Sequence, residues 1–257
     1  MAQPLRASTP GTAKGRVNAK SIKPACIFAG PSLGGNAPPH DVESLPPVKR
    51  GALAAAVRSG YRRIGLIDGA IEESERLSLC ELREALAIPG LTVLGAASMG
   101  AVWAAQLESE GMRGVGRVFR LFRCGSVAEN DEVYVLHAPQ ALRYRCLTLP
   151  LVNIRYTLRA MRLAGHVVRA EEQTLTAYMR DVPWFDRDRH SVAAAVYAAC
   201  GSSRRARIMQ SFDLVYRDIK HEDAMSLVSL LRSQDPSKRP DIESFRARPK
   251  KRFARQA

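Results

Sequence analysis

The sequence predicts an α/β protein, with a parallel sheet and flanking helices in the N-terminal half and an α-helical C-terminal half. Three observations carry this reading. Short apolar runs at 25–29, 64–67 and 91–94 each end at glycine-containing turns, as buried strands do. Stretches of helical periodicity alternate with those runs, which implies right-handed crossovers and parallel strands. Beyond Leu151 the spacing of Ala, Leu and Met is helical.

The elements follow in chain order. Ala25-Cys26-Ile27-Phe28-Ala29 is closed by Gly30-Pro31, and 36–40 reads as loop. Pro46-Pro47 opens a helix carrying Leu53, Ala56 and Val57, and Gly60 stops it. The run 64–67 ends at Asp68-Gly69. Helix 76–87 places Leu79, Cys80, Leu82 and Leu86 on or near one face and is broken by Pro89-Gly90. The run 91–94 passes through Gly95-Ala96-Ala97-Ser98-Met99-Gly100 into an alanine-rich helix at 101–107. Segment 131–137 is expected to be a further strand, and helices are expected near 154–164, 171–181, 190–200 and 208–232. Pro183-Trp184-Phe185 marks a break among them, with Trp184 read as a packing anchor. The layout is a basic tail at 1–24, an α/β core at 25–150, a helical region at 151–234 and a second basic tail at 235–257.

Composition narrows the function classes. At 257 residues and 46% hydrophobic content the chain can bury a core, which excludes wholesale disorder. With no apolar run near 18 residues and no signal-like block in the first 24, a cytoplasmic protein without a membrane partner is expected. The five cysteines are scattered and form no C-x-x-C pair, which argues against a disulfide framework, and no metal or cofactor is expected. Net charge is +14, yet residues 1–40 and 235–257 supply +10 of it, leaving 41–234 at only +4. Both ends read as solvated, disordered tails, and a near-neutral core argues against a nucleic-acid-binding face.

Functional loops of such folds lie at the carboxyl ends of the strands, where Gly30-Pro31-Ser32, Asp68-Gly69 and Ala97-Ser98 fall. Ser98 sits at a tight strand-to-helix turn among small residues. It either presents its hydroxyl in the manner of a G-x-S-x-G nucleophile elbow, with Ala96 in place of the first glycine, or caps the following helix. Asp131, Glu132 and His137 follow in the order of a serine triad, but along one strand the outer two would lie roughly 20 Å apart. Lys49 is a candidate base if desolvated and a solvated lysine otherwise. Cys80 reads as a nucleophile or an inert core thiol, and Asp68 as a functional carboxylate or an ordinary turn residue.

Seven motifs in order resemble the TfuA family over roughly 25–165. They are Gly30-Pro31-Ser32-Leu33, Pro46-Pro47 before Gly51, Ile64-Gly65-Leu66-Ile67-Asp68-Gly69, Gly95 to Ala101, Gly111-Met112-Arg113-Gly114-Val115-Gly116, Asp131-Glu132-Val133, and Pro150-Leu151-Val152-Asn153-Ile154-Arg155. The resemblance implies a partner of a YcaO enzyme in backbone thioamidation of ribosomal peptides, bacteriocins among them. It further implies hydrolysis of a thiocarboxylated ThiS-like carrier with release of sulfide, through a serine and a lysine. Ser98 is then the nucleophile, the Met99 and Gly100 amides the oxyanion donors, and Asp68 and Glu81 the groups that orient the base. Asn153 and Arg155 follow as binding residues, with Arg155 equally readable as a structural ion pair. The sequence departs from the family at the lysine, since the register of a His-Lys-Glu tripeptide falls on Leu79-Cys80-Glu81. Lys49 or Cys80 then stands in, or the protein is a non-catalytic adaptor that docks YcaO and its precursor peptide.

Overall fold

The computed structural model describes residues 25–34 and 42–233; the two basic tails and the loop at 36–40 lie outside the described residues. Five parallel strands form one sheet: β1 (Ala25–Phe28), β2 (Val42–Leu45), β3 (Arg63–Leu66), β4 (Thr92–Ala96) and β5 (Arg113–Val115), in the order β2-β1-β3-β4-β5. Helices α1 (Ala52–Arg58), α2 (Leu79–Leu86) and α3 (Met99–Gln106) make the crossovers from β2 to β5, and α4 (Gly116–Arg123) follows β5. The sheet is therefore doubly wound, and its order reverses between β1 and β3. Ligand crevices of open α/β sheets form at the carboxyl edge of such a reversal.

Both faces of the sheet are covered, which explains why the strands read as continuous apolar runs. Cys26, Phe28, Ile64, Leu66 and Val93 pack under the crossover helices. Ile27, Leu94 and Ala96 face the last described helix, α9 (Ile219–Arg232), through its Ala224, Leu227, Val228 and Leu231. Close approach is obligatory there: a Cβ on Gly65 would lie 2.5 Å from Leu227 Cδ2. In chain order between β5 and α9, helices α5 (Leu151–Leu163), α6 (Arg169–Asp181), α7 (Arg189–Cys200) and α8 (Ser202–Val215) enclose a core of their own. Helix α9, the last described element in chain order, thus belongs to the sheet's packing.

Two readings differ from the structure. The stretch expected as one helix at 208–232 is two, because Asp218 starts α9 afresh by accepting the His221 N–H at 3.0 Å. Segment 131–137 is not a strand: Asn130–Val133 is a 3-10 turn, and the fifth strand is Arg113–Val115. The physical reason is two arginines. Arg155 Nε donates to Glu132 Oε2 at 2.9 Å, while fully buried Arg187 donates to Asp131 O at 2.9 Å and to Asp131 Oδ2 at 2.7 Å, pinning the acidic turn to the helical layer. Among the described residues, no helix is long and apolar enough to cross a membrane.

Candidate active site

The β4–α3 junction is a strained elbow. Ala97 has φ +65, the left-handed region that costs a non-glycine residue on the order of 1 kcal/mol. Glycines on either side let the backbones meet, since a Cβ on Gly95 would lie 2.0 Å from Gly100 O and one on Gly100 1.8 Å from Leu66 O. Close approach thus rests on Gly95 rather than on position 96, the place where the elbow pattern has its first glycine.

Ser98 stands at the start of α3 but its side chain makes no capping bond. Its Oγ instead reaches Val133 O at 3.5 Å, a weak hold that leaves the hydroxyl free to turn. The Gly100 N–H is engaged by Ile67 O at 3.1 Å and the Ser98 N–H by Ala96 O at 2.7 Å. Of the two amides expected as oxyanion donors, only Met99 N–H is without a partner among the described residues.

Val133 O is shared. Lys220, in the first turn of α9, donates to it from Nζ at 2.6 Å, so Ser98 Oγ and Lys220 Nζ are no more than about 6 Å apart. Both are buried, Ser98 at 7% and Lys220 at 3% exposure. Burial pushes the Lys220 amine below its ordinary pKa, against the upward pull of Asp68, Cys146 and Asp218. An amine has three donor positions when charged, and Val133 O occupies one. Lys220 also lines a cavity of about 50 Å³ with Pro31, Ser32, Cys146, Tyr216 and Asp218. That volume accommodates a water molecule or two.

The remaining residues hold this pair in place. Asp68 accepts the Gly30 N–H at 2.9 Å, the Ser32 N–H at 3.0 Å and the Ser32 hydroxyl at 2.7 Å, fastening the exit of β1 to that of β3. Asn153 donates to Tyr216 Oη at 3.1 Å and to Asp218 Oδ1 at 2.9 Å, and its Oδ1 accepts the Lys220 N–H at 3.4 Å, so α5 fixes the start of α9. Arg155 pairs with Glu132, immediately before Val133. Burial raises the Glu132 carboxyl despite that pairing.

The other candidates lie elsewhere. Lys49 is 58% exposed and paired with Glu75 at 2.6 Å. Cys80 is exposed on α2, its thiol 3.5 Å from Glu84 Oε1. Glu81 caps α1 across the gap between helices, accepting the Gly51 N–H at 2.9 Å. His137 bonds the carbonyl of its neighbour Ala138, outside the Ser98 environment. Among the described residues, no group of three or more His, Cys, Asp and Glu side chains could hold a metal.

Sequence reasoning missed Lys220, and the signal was present. Residues 220, 224, 227, 228 and 231 form the buried stripe of a helix. A lysine at the head of an apolar stripe is a lysine placed indoors.

Fold and site together define a doubly wound α/β protein with a buried serine–lysine pair at the carboxyl edge of its sheet. Residues 68–188 match the family model described as TfuA-like protein, so this stretch is similar to a family associated with YcaO-related processing and thioamidation. The matched stretch holds Asp68, Ser98, Val133, Asn153, Arg155 and Arg187, and Lys220 lies beyond it. A search of curated proteins found no match.

Proposed function

We propose that the protein hydrolyses the thiocarboxylate of a ThiS-type carrier and so releases sulfide for a YcaO enzyme that thioamidates a precursor peptide. The observation that supports this reading is the convergence of Ser98 and Lys220 on the carbonyl of Val133. Ser98 Oγ attacks the thiocarboxylate carbon and yields its proton to the neutral amine of Lys220. Met99 N–H, at the positive end of α3, faces the negative charge that develops on oxygen. The C–S bond breaks as the departing sulfur takes that proton from Lys220 and leaves as hydrosulfide, and an ester joins the carrier to Ser98. Water from the cavity then gives a proton to Lys220, forms a bond to the ester carbon and displaces Ser98 Oγ, which recovers that proton.

The alternative, a non-catalytic adaptor that docks YcaO and its precursor peptide, draws support from the absence of a lysine in Leu79-Cys80-Glu81. Acid-quenched intact-mass spectrometry during turnover separates the two. The hydrolase reading expects a carrier-sized adduct on the wild type and none on Ser98→Ala; absence of any adduct or released sulfide with the wild type supports the adaptor.

A further inference from the structure

Ser98 is buried, and the cavity that Lys220 lines holds little more than a water or two, so a protein-borne thiocarboxylate reaches the pair only as a thin chain end while its folded body stays outside. The body then rests on the rim. Part of that rim is a hairpin over 136–147, whose flanks Val135, Cys146 and Thr148 line the cavity. Ala138 N–H donates to Arg145 O at 2.9 Å and Leu147 N–H to Leu136 O at 2.8 Å, and His137 packs edge-on against Tyr144 at 5.7 Å. The hairpin is seated on the β1 exit, with Cys146 Sγ 3.8 Å from Pro31 O.

Its outer surface is unusual for so well bonded a segment. Leu136, Leu142 and Leu147 are 44%, 65% and 48% exposed. Arg143 and Arg145 stand exposed among them and form no ion pair with any described residue, and the twelve residues contain no Asp or Glu. Arg143 and Tyr144 both have positive φ, an unfavourable conformation for residues with a Cβ that the hairpin's backbone bonds impose on the tip. Exposed apolar side chains interleaved with unpaired cations fit a partner surface that is apolar and acidic.

Resting on the hydrolase reading, we propose that the 136–147 hairpin is the docking surface for the body of the carrier protein, meeting an acidic, partly apolar face beside the carrier's reactive C-terminal segment. The hairpin selects the carrier, and the serine–lysine pair works on whatever thiocarboxylate reaches it.

The test compares two substrates of the full chain, a thiocarboxylated ThiS-type carrier and thioacetate, with Leu142→Asp and the double variant Arg143→Glu/Arg145→Glu. The expected result is a KM for the carrier raised about tenfold or more with kcat retained, while thioacetate hydrolysis stays within about twofold of the wild type. An unchanged carrier KM in both variants overturns the proposal, as does an equal loss on both substrates. Calorimetric binding of the unmodified carrier keeps the two readings apart. A wild type that binds through the hairpin without releasing sulfide refutes the hydrolase and keeps the docking surface; sulfide release with an indifferent hairpin does the reverse. A wild type that does neither refutes both.

Discussion

On the proposed hydrolase reading, burial is what fits Lys220 for the role of base. A solvated lysine near pKa 10.4 holds its proton at neutral pH, whereas Lys220 has exchanged water for Val133 O and the field of Asp68 and Asp218. The sign of the pH dependence follows. A lowered pKa means that the neutral amine, the form able to take the serine proton, appears at lower pH than in free lysine. The wild-type kcat/KM should therefore rise with pH through a point below 10.4, and Lys220→Arg should lose that limb together with about 10²–10⁴-fold in rate. A pH–rate profile of sulfide release on both proteins checks this, and a limb that persists in Lys220→Arg assigns it to another group. How far the site was legible also shows at this scale. Ser98 stood out because a small-residue turn at a strand end is a local pattern. Lys220 did not, because its partner lies 122 positions upstream and only the folded chain joins them.

Elements are held in register by side chains that cap their neighbours. Fully buried Arg187 donates to the carbonyls of Met179, Arg180 and Val182 at the end of α6 and to Asp131 in the 3-10 turn. Arg187→Ala strips those acceptors at once and should destabilise the fold by about 3 kcal/mol, read from the denaturant midpoint. A loss under about 1 kcal/mol would mean that the turn carrying Val133 is held by other contacts. Asp223 of α9 plays the corresponding role for α4, accepting the Val118 N–H at 2.7 Å against Gly116, whose φ of +95 and missing Cβ make room for the carboxylate. Burial pushes the Asp223 carboxyl up to about 6. The native state then binds the proton more tightly than the unfolded chain, so the stability from this group is greatest in acid and falls as pH rises from about 4 to 6. Across that window the wild type should lose about 3 kcal/mol more than Asp223→Asn, whose amide oxygen still accepts the Val118 N–H. Equal slopes in the two proteins would place the titration elsewhere. Neither cap was visible in the sequence, because both act across elements far apart in the chain, whereas Ser78 and Asp188, which cap their own helices, follow ordinary local rules.

For the molecule as a whole, the strand–helix alternation was legible because burial on both faces leaves uninterrupted apolar runs at β1, β3 and β4. Strand β5 escaped notice at three residues, and the acidic segment 131–137 imitated a strand until two arginines folded it into a turn. The larger surprise is α9: a helix that closes the sheet also brings Lys220 beside Ser98, so assembly of the pair requires the chain to fold back from its helical half onto β1 and β3. The direct test is sulfide released from a thiocarboxylated ThiS-type carrier by the wild type, Ser98→Ala, Lys220→Ala and Lys49→Ala, each first shown to be folded by its melting transition. Release should vanish in Ser98→Ala and Lys220→Ala and persist in Lys49→Ala. Full release by Lys220→Ala, or its loss in Lys49→Ala alone, would contradict the buried pair as the seat of the chemistry.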